Sequence, residues 1–212
     1  MNQVINLRSL DRVESLPREG VDEVAKDVLF RAARSHNGWL NEPVPHHLLA
    51  EAVDLAKMGP TAANASPFRI LFVESPEAKE RLKPALAPGN VEKTMTAPVS
   101  AILAYDLAFY DRLPKLFPHA DARAWFAGND TFINHTATQS GTLQAAYFLL
   151  ALRAVGLDAG PINGFDNNKV DLEFFADTAL RSNFIINIGY GDEAKLFPRS
   201  PRLDFEEIAR FV

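Results

Sequence analysis

From Val21 onward, apolar residues recur at helical spacing. Val21, Val24, Val28, Leu29 and Ala32 predict a first helix reaching about Arg34. Leu48, Ala52, Leu55 and Ala56 predict a second, which Gly59-Pro60 ends. Phe68 to Val73 is a short β-prone run, and Val99 to Tyr105 and Phe184 to Tyr190 are two further apolar strands. Ser75-Pro76-Glu77 reads as an N-cap with proline in the first helical position. It opens a helix to about Leu82 or Ala85, on which Lys79 is expected to be exposed. Residues 106–135 look irregular and aromatic. The stretch of about 136–155 predicts a long helix, apolar on nearly every side and so buried on most faces, with Gly156 as its stop. Ala137, Gly141 and Ala145 form a stripe of small residues that would let another helix approach closely. Residues 1–20 are polar and without clear periodicity, and read as an N-terminal extension. Residues 21–212 read as one α/β domain.

Composition narrows the function classes. The 212 residues are 47% hydrophobic, enough for a full core. The formal net charge is -5, from 22 basic and 27 acidic residues, which gives no basic excess of the kind a nucleic-acid binder carries. There is no cysteine, so disulfides, zinc–thiolate sites and thiol nucleophiles are excluded; a cytoplasmic location is compatible with this. No secretory h-region opens the chain, and the longest apolar run, Leu143 to Val155, is too short to span a bilayer. No Gly-x-Gly-x-x-Gly follows a strand, and neither a P-loop nor a Gly-x-Ser-x-Gly elbow is present. The histidines, His36, His46, His47, His119 and His135, lack metal-ligand spacing and read as surface or capping residues, so no metal site is assigned.

Three loops beside predicted strands or helices carry the candidate chemistry: Pro60 to Pro67, Gly89 to Lys93 and Gly160 to Asp166. Their short polar side chains and open backbone suit a flat, polar, partly anionic ligand, and together they point to a flavin nucleotide. Asn90 and Lys93 share a face if their segment is helical. An amide that donates and accepts suits the O2/N3 edge of an isoalloxazine ring. A lysine near N1/O2 would stabilise the negative charge of the reduced ring. The plain alternative is a polar helix start with a solvated lysine. Arg34 and Ser35, ending the first helix, could bind a phosphate, the arginine through its planar fork of donors, or could simply compensate a helix dipole. Arg199 and Arg202 could serve a phosphate or be surface charges. Asn163-Gly164, in a turn after Pro161, could bring backbone N–H groups close to a ring atom, or be an ordinary turn.

The order and spacing of these segments resemble the nitroreductase family of FMN-dependent flavoproteins, from about Val21 to the end. Arg34-Ser35-x-Asn37-x-Trp39 is similar to the family's Arg-Ser signature, Pro60 to Pro67 to its Pro-Ser-Ser-x-Asn-x-Gln-Pro loop, and Asn90-x-x-Lys93 to its flavin contacts. Gly156 to Asp166 resembles the turn facing flavin N5, and Arg199 and Arg202 fall at the family's phosphate contacts. Ala33, Asn37 and Asn163 depart from the family's basic residue, Arg or Lys, and Glu. Within the family, His36 to Trp39, Phe117 to Phe126 and Asn187 to Asp192 resemble the subgroup that reduces malonic semialdehyde in pyrimidine degradation.

The resemblance implies an α+β fold with a central, mostly antiparallel sheet flanked by helices, built as an intertwined homodimer with FMN at the interface. It implies cofactor contacts from Arg34, Ser35, Asn37, Asn64, Ser66, Asn90, Lys93, Pro161, Asn163, Gly164, Arg199 and Arg202. It also implies ping-pong hydride transfer from NADH or NADPH. No classical catalytic residue is nominated, because the cofactor carries the chemistry and Lys93 has at most an electronic role. His119, Arg123, Trp125 and Phe126 are candidates for a substrate lid, with interface packing the alternative. Three functions remain open: reduction of malonic semialdehyde, broad reduction of nitroaromatics or quinones, and a flavin-binding dimer without turnover.

Overall fold

The computed structural model describes residues 20–212, so all of the extension read over 1–20 except Gly20 lies outside the described residues. The chain begins with α1 (Glu23–Lys26), which runs into a π-helical turn (Asp27–Arg31), followed by α2 (His46–Ala56) and β1 (Phe68–Val73). Then come α3 (Pro76–Leu82), α4 (Pro88–Met95), β2 (Val99–Asp106), α5 (Leu113–Leu116) and α6 (Asp130–Ala154). The remaining elements are β3 (Asp158–Ile162), α7 (Asn167–Phe174), β4 (Leu180–Gly189) and α8 (Phe205–Ile208). The strands form one antiparallel sheet in the order β1-β2-β4-β3, which with its flanking helices makes an α+β fold.

β2 and β4 are central, and helices cover both of their faces. Both strands are therefore apolar on both sides instead of alternating. Ala101, Leu103, Ile186 and Ile188 point to one side and pack with Leu49, Ala52 and Ala56 of α2 and Ala145, Phe148 and Leu152 of α6. Ile102, Ala104 and Ile185 point to the other, against Leu82, Leu86 and Val170. A third cluster, Phe109, Leu113, Phe126 and Ile133, closes the irregular aromatic stretch. Local signals set several ends. Ser75 accepts a hydrogen bond from the Ala78 N–H with Pro76 next to it, Asn129 caps α6 through the Phe132 N–H, and Gly156 leaves α6 at φ 83°.

The structure corrects several expectations. The predicted first helix is only α1 plus the π turn, and its apolar positions Val21, Val24 and Val28 are exposed. Leu55 of α2 is also exposed, whereas Leu49 is buried. α6 begins earlier than predicted, and among the described residues only one side is covered: Phe132, Leu143 and Tyr147 face outward. The small-residue stripe serves both a helix and the sheet: Ala145 packs in the cluster shared with Ala52 and Ala56 of α2, whereas a Cβ on Gly141 would lie 2.9 Å from Tyr105 Cβ. Asp158–Ile162, read as a turn, is edge strand β3. His36 is buried, not a surface histidine.

Lys79 is the sharpest correction. It is 5% exposed, and its Nζ donates to the carbonyls of Thr94, at 3.1 Å, and of Ala97. Thr94 Oγ1 in turn accepts from Asn187 Nδ2 at 3.0 Å, and Ser100 Oγ donates to Asn187 Oδ1 at 2.8 Å. This buried polar chain ties the C-terminal end of α4 to the middle of the sheet. Burial pushes the Lys79 ammonium down to about 8, with Glu74 opposing the shift. The folded state thus disfavours the charged form. The penalty is complete below pH 8, shrinks as pH rises, and is gone above the unfolded value of 10.5. Relative to Lys79→Met, the wild-type protein should gain on the order of 2 kcal/mol of stability between pH 7.5 and 9.5. Denaturant unfolding of both proteins at the two pH values checks this, and a pH-independent difference contradicts it.

Candidate active site

The segment 34–40 is held against the ends of β3 and β4. Ser35 bridges Ala159, the His36 N–H donates to the Ala159 carbonyl at 3.1 Å, and the Leu40 N–H donates to the Tyr190 carbonyl at 2.8 Å. Glycines permit this approach. A Cβ at Gly160 would lie 2.3 Å from the His36 carbonyl oxygen, and one at Gly191 would lie 1.9 Å from His36 Nδ1. The His36 ring is buried with Nε2 3.3 Å from Asp158 Oδ1, and its Nδ1 has no partner among the described residues.

Trp39 links this segment to α4. Its indole is 8% exposed, packs over Gly160 and Gly189, and donates from Nε1 to the Lys93 carbonyl at 2.8 Å. Asn90 and Lys93 do lie on a helix, and both are half-buried. Lys93 Nζ donates to Asn37 Oδ1 at 2.9 Å, so this lysine is not a solvated surface residue. Asn90 Nδ2 donates to the Gly164 carbonyl at 2.8 Å, and the Ala87 N–H donates to the same oxygen at 2.9 Å. A Cβ on Gly164 would fall 2.5 Å from Asn90 Nδ2, so this contact requires glycine. Asn163 beside it is exposed, and Pro161 belongs to β3. Asn37–Lys93 and Asn90–Gly164 are therefore two contacts in a row, one helical turn apart along α4.

At the Asn37 end, the row opens into a cleft of about 610 Å³ lined by Arg31, Arg34, Ser35, Asn37, Arg153, Arg199 and Arg202 among others. Arg34 donates to the Phe197 carbonyl, and Arg199 Nη2 donates to the Ala33 carbonyl at 2.8 Å, so the C-terminal tail is stitched to residues 33–34. Arg202 donates to the carbonyls of Ser200 and Pro201. Among the described residues no carboxylate lines the cleft, and only Arg31 is paired with acids, Glu23 and Asp27. Several guanidinium groups lie beside a serine hydroxyl here, the donor chemistry that a phosphate-type anion takes.

The Pro60 to Pro67 loop lies apart from this row. Asn64 donates to the Leu116 carbonyl at 2.8 Å, and Ser66 lines a separate groove of about 410 Å³ with Phe68, Arg69 and Gln144. Ala63, Asn64 and Ser66 all have positive φ, at 49°, 50° and 42°. The lid candidates divide. Phe126 is buried against Phe109 and Phe132, and Arg123 pairs with Asp111 at 2.9 Å and lies over Tyr110. Trp125 is exposed, and His119 and Trp125 both flank Phe117. Arg153, a lone cation inside an otherwise apolar helix end, joins the cleft without being part of any of the three candidate loops.

Comparison with known proteins agrees with this geometry. The Nitroreductase family model matches residues 31–190. A Burkholderia lata protein, provisionally named an NADH dehydrogenase/NAD(P)H nitroreductase, is 61% identical over 190 residues, 90% of this chain and 97% of that protein. A protein of the same provisional name from Stenotrophomonas maltophilia is 57% identical over 91% of this chain and 98% of its own. Among solved structures, a provisionally named nitroreductase in complex with FMN from Exiguobacterium sibiricum superposes with a TM-score of 0.77 at 19% identity, over 92% of this chain and 99% of its own. A provisionally named NAD(P)H:FMN oxidoreductase from Staphylococcus epidermidis does so at 0.78 and 20%, over 93% and 100%. These two show the shared fold. The family match spans the Arg34–Ser35 corner, the Asn90–Lys93 helix and the Gly164 turn alike, and the chain belongs to the nitroreductase family.

Proposed function

We propose that the protein is an FMN-dependent NAD(P)H oxidoreductase. The observation that carries this reading is the arginine cleft continuing into the Asn37–Lys93–Asn90–Gly164 row, with anion donors at one end and an amide and an ammonium along it. The donor set fits FMN. Arg34, Ser35, Arg199 and Arg202 would hold its phosphate, and Asn37, Asn90, Lys93, Asn163 and Gly164 would meet the ring. Pro161 would support the turn, and Asn64 and Ser66 would contribute from their own loop. When bound, FMN supplies hydride acceptance and donation at N5. The chain's own residues would then bind and orient it, and Lys93 would be the group to offset the negative charge that grows on the ring on reduction. NADH or NADPH as reductant is supported by the names of the relatives.

The assembly we propose is a homodimer. Phe132, Leu143 and Tyr147 on α6, Val24 and Phe30 near the start, and Phe197, Phe205, Ile208 and Phe211 near the end are all exposed in the single chain. So many large apolar side chains call for a covering surface, and a second copy in which the terminal segments wrap the partner provides one. The partner's Pro60 to Pro67 loop and aromatic 117–126 stretch would then complete the site. Sedimentation equilibrium at micromolar concentration should find a dimer, with an interface above about 2,000 Å². A folded monomer contradicts the proposal.

For the acceptor we propose malonic semialdehyde, reduced to 3-hydroxypropanoate in ping-pong order, on the likeness of the 36–39, 117–126 and 187–192 segments to the subgroup with that activity. Broad reduction of nitroaromatics or quinones is the second reading, favoured by the relatives' shared name of NAD(P)H nitroreductase and by Arg123 being engaged by Asp111. NAD(P)H oxidation by the purified protein should depend on malonic semialdehyde. Rapid quinone turnover with no aldehyde turnover above background selects the second reading. No NAD(P)H oxidation above background with either class of acceptor contradicts both and leaves a flavin-binding dimer.

Lys93→Ala should lower FMN affinity roughly tenfold or more, since a charge-assisted hydrogen bond is worth about 1.5–3 kcal/mol, and should slow flavin reduction. Lys83→Ala is the control, because Lys83 is exposed and pairs only with Glu80 in its own turn. Equilibrium titration with FMN and stopped-flow reduction read both effects. Equal, negligible effects of the two changes remove Lys93 from the site.

A further inference from the structure

Arg153 belongs to the last turn of α6, and its guanidinium reaches the arginine cleft beside Arg34, Ser35 and Arg199. Its visible hydrogen bond is from Nη1 to the Leu29 carbonyl, at 2.9 Å. That uses one of five N–H donors held in a rigid fork. Nε is fully buried and has no partner among the described residues. A buried donor left unpaired is costly, and a fork so little satisfied by the protein leaves its remaining N–H groups for an anion in the cleft. Its surroundings also favour an anion. Burial pushes the guanidinium below its ordinary range, Asp158 opposes this, and Arg199 adds to it. A further negative charge in the cleft would relieve both the desolvation and the repulsion from Arg199.

Resting on the reading of this cleft as the FMN phosphate site, we propose that Arg153 is a further phosphate-binding residue, and that the same guanidinium fastens the Asp27–Arg31 turn over the cleft through Leu29. The other phosphate-competent arginines lie outside the helices of the core: Arg34 follows the π turn, and Arg199 and Arg202 lie on the tail. Arg153 is the one cleft arginine carried by a long core helix, whose neighbour Leu152 is wholly buried. It therefore supplies the fixed point against which the two terminal segments are ordered.

The test compares FMN with riboflavin, which has the same ring and no phosphate, by fluorescence titration of the full chain freed of flavin. Wild-type protein should prefer FMN. Arg153→Gln should lose roughly tenfold or more of its FMN affinity while riboflavin affinity is unchanged. An equal loss for both flavins would mean that Arg153 only holds Leu29, and no loss for either would mean that it is idle; each result overturns the proposal. If Arg153→Gln does not fold, Arg153→Lys serves, since it keeps the charge but removes the Nε–H and the planar fork. A FMN-selective loss supports the proposal, and an unchanged FMN-to-riboflavin ratio overturns it. Wild-type protein that binds riboflavin as tightly as FMN fails the phosphate reading itself. A silent Arg153→Gln beside an Arg199→Gln that loses FMN fails only the role of Arg153.

Discussion

Trp39 donates its indole N–H to the carbonyl of Lys93, and the rest of the site is organised around that bond. The indole can reach α4 only because Gly160 and Gly189 leave room for its ring over the sheet. Once it is there, three separate pieces are fixed relative to one another. The 34–37 corner is fixed by its ladder contacts to Ala159. α4 is held from the other side by Lys79, through the Thr94 and Ala97 carbonyls. The Gly164 turn is held by Asn90. Positioning a polar ligand depends on groups whose own rotamers are locked, and this lock is built from a buried aromatic ring and main-chain carbonyls.

The polar networks are costly and are satisfied almost throughout. Lys79, Asn187, Ser100 and Thr94 form one buried chain in which each group finds a partner. Among the described residues the exceptions are His36 Nδ1, in the 34–37 segment, and Arg153 Nε, of a residue that lines the cleft with Arg34 and Ser35. Unpaired buried donors and acceptors concentrate where a fold serves a ligand rather than itself. The cleft gathers several guanidinium groups with no carboxylate in its described lining, an arrangement that self-repulsion disfavours without an anion.

Much of this was legible in the sequence where one signal decides the outcome. β1, β2 and β4 are apolar runs, and Pro67 and Pro98 stand before two of them. Ser75-Pro76 and Gly156 mark helix ends by side-chain capping and positive φ. β3 was not legible, because Gly160 and Pro161 are turn residues by local preference and are tolerated only on an edge strand. The periodicity near Val24 is genuine, but nothing among the described residues covers it. Lys79 was misread because a lysine on a short helix is ordinarily a surface residue, and only tertiary structure brings the Thr94 and Ala97 carbonyls to it. In the site, Arg34, Ser35, Asn90 and Lys93 stood out as motif residues. Arg153 did not, because its role depends on where α6 ends in space.

A crystal structure of the protein with FMN decides whether the arginine cleft and the Asn37–Lys93 and Asn90–Gly164 contacts beyond it hold the flavin. The phosphate should then lie within hydrogen-bond distance of Arg34, Ser35 and Arg199, and the ring edge against Asn90 and Lys93. A flavin bound instead in the groove beside Phe68, Arg69 and Gln144, with the arginine cleft empty, would contradict that placement.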